Sequence, residues 1–226
     1  MAVRAASTSQ VRSWGSGTAA VVRLLVAAPG PLPGMAIART VGVTQPRVSQ
    51  VLTALTAAGA LRATPGGYVG RRARLMDLYA RRARSGRAGP GMVWYRTGAV
   101  MDQARRISAA PNRPPVAFSA DVGPDLLAPW RHPTLAIVYT LEPLDLTPVG
   151  FVPAESRGDA SVIVRTTSDA TLLAPSGGWP PTVDGIPLTD PVQQWADLLE
   201  LGGEDRHEAA DRLRRAILDR AISPAS

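Results

Sequence analysis

Residues 34–53 read Gly34-Met35-Ala36-Ile37-Ala38-Arg39-Thr40-Val41-Gly42-Val43-Thr44-Gln45-Pro46-Arg47-Val48-Ser49-Gln50-Val51-Leu52-Thr53. Pro33 opens a short helix here, with Ile37, Ala38 and Val41 facing inward. Gly42 stops that helix and can take the positive φ that a sharp inter-helix turn requires. Thr44 then caps a further helix with Pro46 in its first turn, on which Val48, Val51, Leu52 and Leu55 form one apolar stripe. Ala38 is small where the two helices cross, so their backbones can approach. Ile37, Val41, Val43, Val48 and Val51 lie where the pair must bury apolar surface against a preceding helix. That leaves Thr44, Gln45, Arg47, Ser49, Gln50 and Thr53 pointing away from the core, all polar and none acidic.

Working outward, the preceding helix carries Val21, Leu24, Leu25 and Ala28 at i, i+3, i+4, i+7, with Ser16 or Thr18 as its cap and Pro29-Gly30-Pro31 as its stop. Residues 1–15 form a loose arm or a short leading helix. After Gly59, two short strands at about Ala60–Thr64 and Tyr68–Arg71 meet through Pro65-Gly66-Gly67, a hairpin signal. The helix pair resembles a helix-turn-helix. With the hairpin behind it, the order resembles the winged helix-turn-helix of MarR-like regulators. The residue types suit double-stranded DNA. Arginine grips guanine, glutamine pairs with adenine, and Ser or Thr hydroxyls reach phosphates or bases. Arg62, Arg71 and Arg72 are expected to act as a wing along the DNA backbone, with Arg74 beyond.

Charge supports this reading. From Met1 to Arg106 there are 16 arginines against two acids, Asp77 and Asp102, a charge of +14. From Ile107 to Ser226 there are 9 arginines against 16 acids, a charge of −7. A basic half joined to an acidic half is what a polyanion-binding module carrying a different module looks like. Every basic side chain is arginine, so lysine chemistry is excluded. The absence of cysteine removes disulfides and thiolate sites, and only His132 and His207 exist. The longest apolar run, Ala19–Ala28, is broken by Arg23 and is too short to span a bilayer. The expected location is cytoplasmic and nucleoid-associated, with no membrane partner.

The expected fold class is α+β, with the winged helix-turn-helix at 16–75, a basic helix and linker at 76–96, and an acidic mixed α/β domain at 97–226. Helices are read at Arg74–Arg84, Thr97–Ala109, Pro191–Leu201 capped by Asp190, and Glu204–Ile222, the last presenting Ala210, Leu213, Ile217 and Ala221 on one face. Extended segments are read at Val116–Ser119, Leu135–Thr140, Ser161–Arg165 and Val183–Ile186. No catalytic set emerges. Ser119 and Ser161 have no histidine placed to activate them. His207 and Asp211 share a helix face but lack a third ligand. Gly177-Gly178 makes no phosphate cradle, and Trp130, Trp179 and Trp195 read as core or interface anchors. No enzyme activity, cofactor or metal is expected.

Several strings carry a resemblance reaching over roughly residues 20–222. They are Trp94-Tyr95-Arg96 before a helix ending in Ala-Arg-Arg, Val116-Ala117-Phe118-Ser119, and Ala128-Pro129-Trp130-Arg131-His132-Pro133. Others are Val149-Gly150-Phe151-Val152-Pro153-Ala154, and Asp184-Gly185-Ile186-Pro187-Leu188-Thr189-Asp190-Pro191-Val192-Gln193, followed by Asp197-Leu198-Leu199 and Gly202-Gly203. Together these are similar to the AbiEi-type antitoxins of type IV toxin–antitoxin (abortive infection) systems. Residues 119–127 depart from that family's pattern, which has a Ser-Gly-x-x-Ala-Ala-like helix there. The resemblance implies an N-terminal winged helix that represses its own operon, often at inverted repeats matched by two copies of the chain. It also implies a C-terminal α/β domain that antagonises a nucleotidyltransferase-like toxin. Two other readings stay open: a MarR-like ligand-responsive regulator with a small-molecule-binding C-terminal domain, and an enzyme carrying a DNA-targeting domain.

Overall fold

The computed structural model describes residues 14–83, 91–127, 132–174 and 182–222. The leading arm before Trp14, the Gly86–Gly89 linker, Trp130, Arg131, Gly177, Gly178 and Trp179 lie outside the described residues. The chain is a mixed α+β protein. Its helices are α1 (Ser16–Ala27), α2 (Gly34–Val41), α3 (Gln45–Ala57), α4 (Arg72–Ala83), α5 (Val100–Ser108), α6 (Val122–Leu127), α7 (Pro191–Leu201) and α8 (Glu204–Asp219). Its strands are β1 (Leu61–Thr64), β2 (Gly67–Gly70), β3 (Met92–Tyr95), β4 (Val116–Ala120), β5 (Ala136–Thr140), β6 (Val152–Pro153), β7 (Val162–Thr166), β8 (Thr182–Val183) and β9 (Ile186–Pro187). The segment expected to run extended through Val183–Ile186 is instead a small hairpin of β8 and β9, turning at Asp184-Gly185. Among the described residues no helix is long and apolar enough to cross a membrane.

Strands β1 and β2 pair antiparallel with Arg62 opposite Val69 and Thr64 opposite Gly67. The turn closes with Thr64 Oγ1 donating to the Gly67 carbonyl at 2.8 Å. Gly67 is required here: its φ is +122° and a Cβ would collide with the backbone of Leu32, which pairs with Tyr68. The larger sheet has the order β4-β5-β7-β3-β6, with β5 and β7 parallel and the other pairs antiparallel. Strand β3 is an interior strand of this sheet, so the span read as helix and linker contributes Trp94 directly to the core beneath it. Four consecutive apolar or aromatic residues after a glycine gave no periodicity long enough to reveal it.

Alternation along the strands makes two different faces. Val116 and Phe118, Ala136 and Val138, and Val162 and Val164 pack with Trp94 against α5 and Val122 of α6. The opposite face presents Ser119, Ile137, Tyr139, Ile163 and Arg165, and α7 lies over it. Helix α7 is buried from Pro191 to Leu198 and is used on both sides. Gln193, Asp197 and Glu200, spaced i, i+4, i+7, meet the sheet through polar contacts. Val192, Trp195 and Ala196 join a second core made with α1, α3, α4 and α8. The expected division at 75 and 96 is therefore crossed by packing, because the last two helices complete the core of the first four. Periodicity reveals that a helix has an apolar face but not which partner covers it.

Helix α1 shows the same effect. One apolar stripe is expected, yet residues from Thr18 to Ala28 are all buried because α4 and α7 cover its far side. Gly15 stands at its N-cap position, with no side-chain cap, in place of the expected Ser16 or Thr18. Met101 and Leu199 are only half-buried and Ala221 is exposed, since α8 ends at Asp219. Asp190 does cap α7, its Oδ1 accepting from the Val192 and Gln193 amides at 3.0 Å.

Asp121, just after β4, ties α8 to the sheet. Its carboxylate accepts from Arg206 Nε and Nη2 at 2.8 and 3.0 Å and from Thr134 Oγ1 at 3.0 Å. Burial pushes this carboxyl up, but Arg206 and Thr134 together hold it below the usual carboxylate range. A depressed folded pKa contributes stability above the unfolded value that is lost as pH falls through the folded one. Asp121→Asn is expected to lose about 1–3 kcal/mol at pH 7, with the gap to the parent closing below about pH 4. Urea unfolding at pH 7 and pH 3 checks this, and a gap independent of pH would reject it.

Candidate nucleic-acid interface

Helix α2 ends where Gly42 turns left-handed at φ +73°, its amide donating to the Ala38 carbonyl. The chain then enters α3 within three residues. Ile37, Val48, Val51, Leu52 and Leu55 are buried together, while Ala38, Val41 and Val43 are partly buried at the edge of the same core. This packing holds the outer face of α3 in place. Thr44, Gln45, Arg47, Ser49, Gln50 and Thr53 are all exposed on it. Thr44 occupies the N-cap position with extended backbone, but its side chain makes no capping bond. The first turn of α3 contains no acidic residue.

Local contacts draw three helix ends together around α3. Arg47 Nη2 donates to Thr18 Oγ1 of α1 at 3.2 Å, and Arg47 Nη1 donates to Gln50 Oε1 at 3.5 Å. A Cβ on Gly17 would lie 2.9 Å from Val43 Cγ1, so α1 approaches the α2–α3 turn closely. The Gln45 side chain lies beside Gly34 at the start of α2. The two bonds orient Arg47 without neutralising its charge.

The arginines divide into two groups. Arg47, Arg62, Arg71 and Arg74 are exposed and make no ion pair among the described residues. So does Arg39, on the last turn of α2, which motif reading passed over because it lies outside the second helix. Asp77, the one acid between residues 14 and 83, pairs with Arg214 at 2.7 Å. Within residues 14–83, the exposed arginines of α2, α3 and the β1–β2 hairpin thus have no acid of the same segment to pair with.

Arg72 differs from the other expected wing arginines in being tied to the protein itself. Its Nη1 donates to the Ile217 carbonyl and its Nη2 to the Ala28 carbonyl, each at 3.2 Å, so it joins the C-terminal ends of α8 and α1. Burial, and the nearby Arg220 guanidinium, push it below its ordinary pKa. These two backbone bonds make Arg72 a structural clamp between helix ends, a contact that the sequence reading did not include. The sequence signal for Arg72 was its place beside Arg71, but α4 begins at Arg72 and turns its side chain inward.

A buried polar network joins the two halves of the chain. Arg23 Nε meets Asp190 Oδ2 at 2.6 Å, Nη2 meets Asp169 Oδ2 at 2.8 Å, and Nη1 donates to Tyr79 Oη at 3.0 Å. Tyr79 donates to Gln193 Oε1 at 2.5 Å, and Gln193 Nε2 donates to Tyr139 Oη and Asp197 Oδ1 at 2.9 and 3.0 Å. Asp197 also accepts from Ser119 Oγ at 2.6 Å, and Arg165 Nη1 lies 3.4 Å from it. Burial pushes the Asp190 carboxyl up, against the pull of Arg23. The carboxylates and Tyr79 hold Arg23 well above its ordinary value despite its own burial. His132 and His207 are exposed, and among the described residues no three His, Asp or Glu side chains gather as around a metal ion. Comparison of the chain with protein-family models, with curated proteins and with solved structures finds no match.

Proposed function

We propose that α2 and α3 with the β1–β2 hairpin act as a winged helix-turn-helix, with α3 in the major groove of double-stranded DNA. In this reading the protein is a sequence-specific transcriptional repressor and the autoregulating antitoxin of a type IV toxin–antitoxin system. One observation carries the DNA reading: α3 exposes six polar side chains within residues 14–83, where Arg39, Arg47, Arg62, Arg71 and Arg74 are exposed with no ion pair among the described residues and the one acid, Asp77, pairs with Arg214. Such a surface is attracted to phosphate at any sequence and supplies base-reading groups at the same place. The antitoxin part rests on the resemblance of the strings between Trp94 and Gly203, and its partner is a nucleotidyltransferase-like toxin. Two copies of the chain would match an inverted-repeat operator.

The test is a salt titration of binding to the protein's own upstream DNA against a scrambled duplex of equal length. A preference of about 10³ or more at physiological salt is expected. Equal, steeply salt-dependent binding to both duplexes would reject sequence-specific repression. Within that assay, Arg47→Ala is expected to cost about 1–3 kcal/mol on the specific duplex and to relax its preference. Arg71→Ala should weaken both duplexes and flatten the salt dependence, whereas the loss in Arg72→Ala should appear in the melting temperature. A mutant at position 47 that retains full preference would remove that residue from base reading.

A further inference from the structure

An open cleft of about 690 Å³ runs along the outer side of α5, far in sequence from α3. Arg96, Arg105 and Arg106 line it, against a single acid, Asp102. Asp102 pairs with Arg105 at 3.0 Å, but both side chains are more than half exposed, so the pair is screened and compensates little. Arg106 is exposed with no ion pair among the described residues.

Among the described residues Arg96 is held without an acid. Its Nη1 donates to the Val149 and Gly150 carbonyls at 3.4 and 2.9 Å, and its guanidinium lies 5.9 Å from the Phe151 ring centroid. Gly150 has φ +84°, and a Cβ there would collide with that Nη1. The backbone of the same loop is fixed from below. Buried Gln103 donates through Nε2 to the Arg96 and Gly98 carbonyls at 2.9 and 3.0 Å. Its Oε1 accepts from Ser161 Oγ at 2.7 Å, and Ser161 Oγ accepts from the Arg96 amide at 3.2 Å. A positive-φ glycine, a buried amide and a buried hydroxyl thus position a cation that has no acidic partner among the described residues. Ala109, Pro111 and Val149 add an apolar floor. The volume is that of small-molecule sites, and the held guanidinium of Arg96, with the exposed Arg105 and Arg106 beside it, suits phosphate oxygens.

We propose that this cleft binds a small phosphorylated molecule, whose phosphate is held by Arg96, Arg105 and Arg106. A concave, partly apolar site favours a compact ligand over a duplex, and the proposal is independent of DNA binding at α3.

Isothermal titration of the full chain with inorganic pyrophosphate and with AMP, using adenosine as the uncharged control, tests it. Saturable one-to-one binding of both phosphates with Kd below about 1 mM is expected, and none of adenosine. Arg106→Glu should weaken phosphate binding at least about tenfold while leaving the melting temperature and the affinity for DNA unchanged. Arg96→Lys, which keeps the charge but loses the fork, should also weaken it. No saturable binding of either phosphate, or an Arg106→Glu protein that binds as tightly as the parent, would overturn the proposal. A loss of DNA affinity in Arg106→Glu without small-phosphate binding would overturn it too, by assigning the cleft to nucleic acid.

Discussion

Replacing Arg23 with methionine is expected to destabilise the protein by about 3–5 kcal/mol, a fall in Tm of roughly 10 °C or more. Methionine fills much of the same volume, so the loss does not come from a cavity. It comes from Asp169 and Asp190, 7% and 3% exposed, which would keep their burial and lose their cation. The variant also has a pH signature. Without Arg23, burial drives the Asp190 carboxyl further above its unfolded pKa. A raised carboxyl pKa gives stability that is present below the unfolded value and lost as pH rises through the folded one. The deficit of Arg23→Met should therefore be largest at neutral pH and shrink toward pH 5. Denaturant unfolding across that range measures it. A deficit that grows on acidification would show that the carboxylates do not depend on Arg23.

Asp197→Ala is the second large effect, again about 3–5 kcal/mol. The carboxylate is fully buried and accepts from Ser119, Tyr139 and Gln193, with Arg165 beside it. Alanine would leave these groups competing for fewer acceptors beneath α7. Arg165 retains Glu200, whose Oε1 lies 2.5 Å from Nη2, so the main loss falls on the neutral donors. Asp197→Asn keeps the shape and one acceptor oxygen and should recover part of the loss. A Tm for Asp197→Ala within about 2 °C of the parent would show that the sheet holds α7 by apolar contact alone. The same geometry explains Ser119: its hydroxyl proton points at a buried carboxylate, in the tie between β4 and α7.

Much of the helical layer was legible because its signals are local. Gly42, the Pro33 start, the Val48–Leu55 stripe and the Asp190 cap each act within a few residues of themselves. The α3 surface was legible for the same reason, since an amphipathic helix shows its outer face in its spacing. What was hidden depends on partners distant in the chain. Arg23 reads as an interruption in an apolar run until Asp169 and Asp190 are brought to it, 146 and 167 residues away. Arg72 reads as part of a basic pair until Ala28 and Ile217 supply carbonyls. Arg96 and Gly150 stand 54 residues apart in separate strings, and only their apposition across the fold makes the cleft visible.

Helix α7 has a consequence for how the protein comes off the ribosome. Val192, Trp195 and Ala196 complete the core around α1 and α4, yet they are synthesised more than a hundred residues after Tyr79. Until they emerge, the nascent N-terminal helices leave the Leu25–Tyr79 side of their core open to solvent and to other chains. The DNA-reading surface proposed for α3 would then be assembled only once nearly the whole protein has been translated. A chain truncated before Pro191 should accumulate as an aggregation-prone species rather than as a competing DNA binder.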